Sequence, residues 1–299
     1  MSLDLAVATP SFLDLTFTGL ESLPALGEER FASDLLRSPG GGAITAVAAA
    51  RLGLSTALAA PLGKDVAGEL VMEVLREDGV SVVERRAPRT PTTVVMPLNA
   101  DRAMVTVDPG VRASTADVAA LAPRAVAANL DLLYVVPEGA AGYITCGDDD
   151  ARAFAGRPPA QLSGVRTLFV SDNEALQLTG AGTADDAAAR LADQVETVVV
   201  TLGARGAFSV SGDTRVDVDA HDAGPAVDAT GAGDLLVAAY IWSDLRGASA
   251  EDRLRWAVIY AGLSVTKPTA VAGAVDEATL VAEGAKLGLI APAGSPLAG

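Results

Sequence analysis

Val227-Asp228-Ala229-Thr230-Gly231-Ala232-Gly233-Asp234-Leu235-Leu236 is the stretch on which the fold turns. Small residues run directly into an apolar segment, so a helix beginning near Gly233 leaves its first amides unpaired. Free amides and the helix dipole together suit an anion, and Gly231 and Gly233 allow a phosphoryl group to approach the backbone closely. Asp234 then stands inside an anion site, where a carboxylate repels phosphate unless it has a task. Accepting the proton of an attacking hydroxyl is the natural one. The same residues also read as a helix-capping acid and a tight glycine turn. Other phosphate motifs do not fit: Leu236 replaces the third glycine of a dinucleotide fingerprint, and Gly63-Lys64-Asp65 lacks the Ser or Thr that follows a phosphate-loop lysine.

Working outward, residues 3–8 read as a first strand, and 12–19 and 30–35 alternate apolar and polar side chains as half-exposed strands do. Pro39-Gly40-Gly41-Gly42 breaks the chain before an alanine-rich helix over 43–52 that ends at Gly53. A short buried strand over 54–60 and a helix over 66–77, closed by Asp78-Gly79, set up a βαβ rhythm. Residues 92–98 and 103–108, joined by 99–102, predict a hairpin. Runs at 130–136, 167–171 and 197–201 predict strands alternating with helical segments such as 185–193. Helices follow Gly233 and cover 250–266 and 277–287, and the chain past Ala291 reads as a tail. The fold class is therefore α/β, a doubly wound, mainly parallel sheet flanked by helices. The half-exposed strands form a small β-sheet of their own.

Of 299 residues, 50% are hydrophobic and 20% charged, which supplies a core and argues against a disordered chain. The formal charge of −16 opposes a surface that tracks nucleic-acid phosphates, but a pocket of backbone amides can still take a small anion. Cys146 and His221, one of each, exclude an internal disulfide and a His-based metal cluster; they read as a small buried thiol and a solvated loop imidazole. No positive charge precedes Arg30, and the most apolar stretch, 43–63, is interrupted by Arg51, Gly53 and Pro61. These features predict a soluble, cytoplasmic protein with no nucleic-acid and no membrane partner.

Taken together, Asp228-Ala-Thr-Gly-Ala-Gly-Asp234, the glycine cluster at 40–42 followed by Ala48-Ala-Ala-Arg-Leu-Gly53, and Thr201-Leu-Gly-Ala-Arg-Gly206 resemble the ribokinase-like (PfkB) family of sugar and nucleoside kinases, over nearly the whole chain. The resemblance implies a single ribokinase-like domain over 1–299 with a lid formed by about 12–38 and 90–109. It implies ATP-dependent phosphorylation of a primary hydroxyl on a sugar or related small molecule, assisted by Mg²⁺. Asp234 would be the base, and Gly231, Ala232 and Gly233 the anion hole. Asp14, Gly41 and Gly42 would bind the acceptor, and Asn173, Thr201, Gly203 and Gly206 the nucleotide. Asp228 and Thr230 lie where many members hold a monovalent cation such as K⁺, and lid strands would pair two chains into a homodimer. Asp65 and Gly68 match a family element read here as structural.

The chain also departs from the pattern. Ile44 and Thr45 stand where relatives place an asparagine, Leu176 replaces the Glu of Asn-x-x-Glu although Glu174 is near, and Val258 replaces a common asparagine beside adenine. Between Val136 and Thr167 the chain reads as too short for the full helix and strand, which predicts a trimmed sheet edge. Two alternatives follow: a nucleoside kinase of the same fold, for which Phe12, Phe17 and Phe31 offer stacking surface, and a catalytically impaired sugar-binding regulator.

Overall fold

The computed structural model describes residues 3–83, 86–98 and 101–294; residues 99–100 of the expected hairpin turn and 295–299 of the expected tail lie outside them. From the amino end, β1 (Leu5–Val7), β2 (Ser11–Thr18) and β3 (Asp34–Gly41) precede α1 (Gly42–Arg51), β4 (Thr56–Leu58), β5 (Leu62–Gly63) and α2 (Val66–Glu77). Next come β6 (Ser81–Val82), β7 (Arg86–Ala87), β8 (Thr92–Leu98), β9 (Asp101–Val107), α3 (Thr115–Ala120) and β10 (Ala125–Asn129). Then follow β11 (Ala141–Thr145), α4 (Asp148–Ala153), β12 (Thr167–Ser171), α5 (Asp172–Thr179), α6 (Ala184–Ala192), β13 (Thr197–Thr201), β14 (Ala207–Ser211) and β15 (Thr214–Val218). Helices α7 (Ala232–Asp244), α8 (Ala250–Ser264), α9 (Ala270–Gly273) and α10 (Glu277–Lys286) complete the chain.

Nine strands form the main sheet in the order β15-β14-β13-β12-β11-β10-β1-β4-β6, parallel except where β14 and β15 close one edge as an antiparallel hairpin. Successive side chains leave a strand on opposite faces, and each strand accordingly feeds two cores. Leu5, Val7, Ala125, Ala127, Tyr143, Phe169 and Val199 pack with α1, α2, α7 and α8. Ala6, Val126, Ala128, Ile144, Leu168, Val170 and Val198 face the other way, toward α4, α5 and α6. The order reverses between β1 and β10, so a crevice opens beyond their carboxyl ends, where ligands of such sheets bind. The chain leaves β1 straight into β2 of a separate four-stranded sheet, ordered β3-β2-β8-β9. No helix among the described residues is long and apolar enough to cross a membrane.

Two buried polar hubs tie helices to this frame. Asp244, at the end of α7, accepts hydrogen bonds from Tyr143 Oη at 2.6 Å, from Arg166 Nε at 3.0 Å and Nη2 at 2.9 Å, and from Arg253 Nη1 at 2.5 Å. Arg51, closing α1, pairs with both oxygens of Asp78 and donates to the carbonyls of Val271 and Ala274. Asp65 caps α2 through Gly68 N and also accepts from Thr90 N and Oγ1, while a side chain at Gly68 would meet Gly63 O at 2.2 Å. Both residues are thus structural, as expected.

Four expectations need correction. The strand sought over 30–35 starts at Asp34 and runs through Pro39-Gly40-Gly41, because a sheet edge tolerates proline and glycine. The strand sought at 130–136 is Ala125–Asn129, and Leu130–Val135 is a 3-10 turn; a fully buried alanine-rich strand has no alternation to reveal it. The region between Val136 and Thr167 keeps its strand, β11, which lies inside the sheet rather than at an edge, with only the six-residue α4 beside it. His221 is not solvated: its side chain is 11% exposed and its Nε2 lies 3.3 Å from Glu283. Cys146 is a buried thiol, as expected.

Candidate active site

Gly231 begins α7 from a left-handed conformation, φ 77°, and a side chain there would meet Ala270 at 2.4 Å and Ile44 at 2.9 Å. The turn therefore needs glycine twice over, for its backbone angle and for the close packing beneath it. A Cβ on Gly233, by contrast, would meet nothing within 4 Å, and the residue is exposed. The first turn of α7 is thus open at Gly233 and has no side-chain cap, while the amide of Ala232 donates to Ala229 O at 3.3 Å. Ala232 is its first residue and Asp234 its third.

Asp234 keeps some exposed surface yet is closely surrounded by protein atoms. Burial pushes its carboxyl up to about 7; the Thr45 hydroxyl opposes this by donating to Oδ1 at 3.1 Å, and the charge of Asp14 adds to it. Asp14 is itself pushed up to about 6 by burial, against a hydrogen bond from Thr93 and with the charge of Asp228. The register pairs Asp14 with Thr93 and Thr93 with Thr106, and the two threonine hydroxyls lie 3.0 Å apart. A hydroxyl has one proton to give, so Thr93 donates to Asp14 and accepts from Thr106.

Asp14, Thr16 and Ser38 of the small sheet face Asp228 and Thr230 of the glycine-rich loop across a narrow cleft floored by Ile44 and Ala270. Asp228 holds its loop by accepting from Thr230 N at 2.8 Å, while its own amide and that of Val227 donate to Val265 O at the end of α8. Thr230 Oγ1 is buried with no protein partner, an orphaned acceptor beside a carboxylate.

The early glycines are placed differently from one another. Side chains at Gly41 and Gly42 would collide with Pro10 O at 2.5 Å and Thr9 O at 2.3 Å, so both are tight against the β1–β2 link. Gly40 instead faces the site: a Cβ there would lie 2.3 Å from Asp14 Oδ2.

Asn173 and Thr201 sit at the carboxyl ends of neighbouring parallel strands, where Ser171 pairs with Thr201. Arg205 Nη2 bridges the two loops to Asp172 at 3.0 Å. Gly203, φ 59°, has open space above it, whereas Gly206, φ 95°, is required by Val218 O, 2.1 Å from a would-be Cβ. Asn173 is exposed and does not cap α5; Ser171 does, in a reciprocal box with Glu174. The spacing sought from Asn173 to Leu176 is thus held two residues earlier, by Ser171 and Glu174. Burial raises the Glu174 carboxyl, Ser171 opposes this, and Asp148 and Asp150 add to it.

Sequence reasoning passed over Gly40, Thr93 and the Thr45 contact. The glycine run was visible, but only strand register shows which glycine faces Asp14.

A doubly wound α/β sheet, a small separate sheet, and a carboxylate in the glycine-rich first turn of a late helix define an α/β protein of the ribokinase-like fold. The pfkB family carbohydrate kinase model matches residues 27–277, and the chain belongs to that family. It is 26% identical to a ribokinase of Haemophilus influenzae over 248 residues, 76% of this chain and 81% of that protein. Its fold is similar to Arabidopsis thaliana ribokinase, solved with ribose and ATP, with a TM-score of 0.76 at 24% identity, covering 94% of this chain and 98% of that one. It is likewise similar to adenosine kinase from Sinorhizobium meliloti, with a TM-score of 0.75 at 22% identity, covering 92% and 98%.

Proposed function

We propose that the chain transfers the γ-phosphoryl group of ATP to a primary hydroxyl of a sugar or related polyhydroxyl molecule, with Asp234 as general base. The observation that carries this is Asp234 itself, a carboxylate placed at an open helix start and raised to about 7, near the pH at which a base works best. Asp234 takes the proton of the acceptor hydroxyl, the acceptor oxygen bonds to the γ-phosphorus, and the bond to the bridging oxygen breaks to leave ADP. The amides of Gly231, Ala232 and Gly233 would stabilise charge on the transferring group, that of Ala232 on leaving the carbonyl of Ala229. Open space above Gly233 fits a phosphoryl group there.

Asp14 holds acceptor hydroxyls, with its carboxylate oriented by Thr93, and Gly41 and Gly42, next to the cleft residue Pro39 in sequence, would offer backbone to the acceptor. Among the described residues lining that cleft there is no Lys or Arg, and two are aspartates. This favours an acceptor without phosphate or carboxylate of its own, since like charges there would be costly. A sugar is favoured over a nucleoside by the carbohydrate kinase family to which the chain belongs; of the three rings, Phe12 packs against Gly41, Phe17 is half-buried and Phe31 is 85% exposed.

ATP is read along Asn173, Thr201, Gly203 and Gly206. No cluster of three or more His, Cys, Asp or Glu suited to a metal occurs among the described residues. Mg²⁺ would therefore be held largely by the phosphates, neutralising them, as is usual for this ion. Asp228 and the orphaned Thr230 Oγ1 fit a monovalent cation such as K⁺, which would stiffen the loop.

The chain is read as one domain whose small sheet is a lid over the acceptor, excluding water. Its edge strand β9 exposes Met104, Val105 and Val107, which supports pairing between two lids. In an assay of ATP-dependent phosphorylation over a panel of neutral sugars, nucleosides and sugar phosphates, a neutral sugar should be the best acceptor. Asp234→Asn should lower turnover about 10²–10⁴-fold with the fold intact. Near-normal turnover in that variant removes Asp234 from the role.

A further inference from the structure

Helix α1 buries an unbroken run from Gly42 to Ala49 in which Thr45 is the only polar side chain. A threonine inside a helix ordinarily returns its hydroxyl proton to a carbonyl one turn back. Thr45, 4% exposed, instead spans the contact between α1 and α7 and donates to Asp234 Oδ1. The neighbouring Ile44 offers no polar atom. The hydroxyl therefore engages Oδ1 in particular, while the amide of Asp234 itself also bonds to the carboxyl.

We infer that Thr45 is a positioning residue for Asp234, orienting its carboxylate through Oδ1. The inference rests on the proposed role of Asp234 as base. It goes further in assigning an orienting partner from another helix. In the acids' environment, Asp14 of β2 is the charged group acting on Asp234, and Asp228, in the loop before α7, acts in turn on Asp14. The Asp14 carboxylate disfavours an ionised Asp234, and the Thr45 hydroxyl and Asp234's own amide favour it.

Thr45→Val keeps the branched shape and removes the donor; Thr45→Ser keeps the donor. The titration of the Asp234 carboxyl is followed by carbon-13 NMR in the ligand-free protein, with Asp234→Asn identifying the resonance, and kcat/KM is measured against pH. In Thr45→Val both the titration and the acid limb of kcat/KM should move to higher pH by roughly 0.5–1 pH unit. Activity at pH 6 then falls about 3–10-fold more than at pH 8.5, and Thr45→Ser stays with wild type. A purely structural threonine would lower the melting temperature and leave both curves in place. An unmoved titration in Thr45→Val, an unmoved acid limb, or a serine variant that behaves like valine overturns the inference. If Asp234→Asn keeps near-normal turnover while Thr45→Val still shifts the resonance, the proposed function fails and the Thr45 contact survives it.

Discussion

The carboxylate of Asp14 occupies the volume that a side chain at position 40 would need: a Cβ on Gly40 would lie 2.3–2.4 Å from both oxygens and the carboxyl carbon. Residues 14 and 40 are not cross-strand partners, since Asp14 pairs with Ser38 and Gly40 with Phe12. The diagonal contact leaves Asp14 lying over a bare backbone, with Thr93 on its other flank.

Gly40→Ala should therefore act on ligand binding rather than on folding. Gly40 has no positive φ, and the obstructing atoms are the end of one side chain that can swing away. Displacing Asp14 removes charged hydrogen bonds to the acceptor, each worth ~1.5–3 kcal/mol, so KM for the acceptor should rise about 10–100-fold. Steady-state kinetics beside a melting curve checks this. An unchanged KM would mean that Asp14 does not hold the acceptor from its present place.

The two raised acids make a prediction about stability. A carboxyl raised in the folded state stabilises the fold while protonated. That contribution is fully present below the ordinary carboxylate range and is lost as pH rises through about 6 for Asp14 and about 7 for Asp234. Asp234→Asn carries a neutral side chain at every pH. In the ligand-free protein its melting temperature should track wild type at about pH 3.5, rise above it progressively as pH increases, and exceed it most at pH 8. Parallel curves across that range would contradict the raised carboxyl.

Asp244 is the opposite case, an acid used for architecture. Burial alone would raise its carboxyl, but hydrogen bonds from Arg166 and Tyr143 and the charge of Arg253 hold it below the usual carboxylate range. Replacing it by alanine leaves the mostly buried Arg253 and Tyr143 without this partner, while Arg166 keeps Glu196 and partial solvent, so the loss should be about 2–3 kcal/mol, below the roughly 3–5 kcal/mol typical of a fully buried pair. Urea denaturation of Asp244→Ala should show that loss, with KM for ATP and acceptor unchanged in the folded fraction. A variant as stable as wild type would mean that the hub contributes little.

Asp14 was singled out through the family resemblance, whereas the βαβ rhythm and the helix start at Gly231 were legible because each rests on local chemistry, such as apolar periodicity and helix-end amides. The strand Ala125–Asn129 was not, because a run of small residues buried on both faces carries no period. The same limit hid β11, where Gly142 and the loop residues around it mimic a turn. The capping box of α5 likewise was not legible: Ser171 and Glu174 close it, two residues before the Asn173–Leu176 spacing that the family pattern draws attention to.

By itself, the order of residues determined the fold class, the position of the glycine-rich helix start and the carboxylate standing in its first turn, because those follow from patterns within a few turns of chain. Tertiary structure alone decided that Gly40 faces Asp14, that Thr45 reaches Asp234 from 189 positions away, and that the charge of Asp14 raises its counterpart across the cleft. Those are relationships between strands and helices that meet only when two sheets and two helix layers pack, and their energies depend on distance and burial rather than on sequence separation.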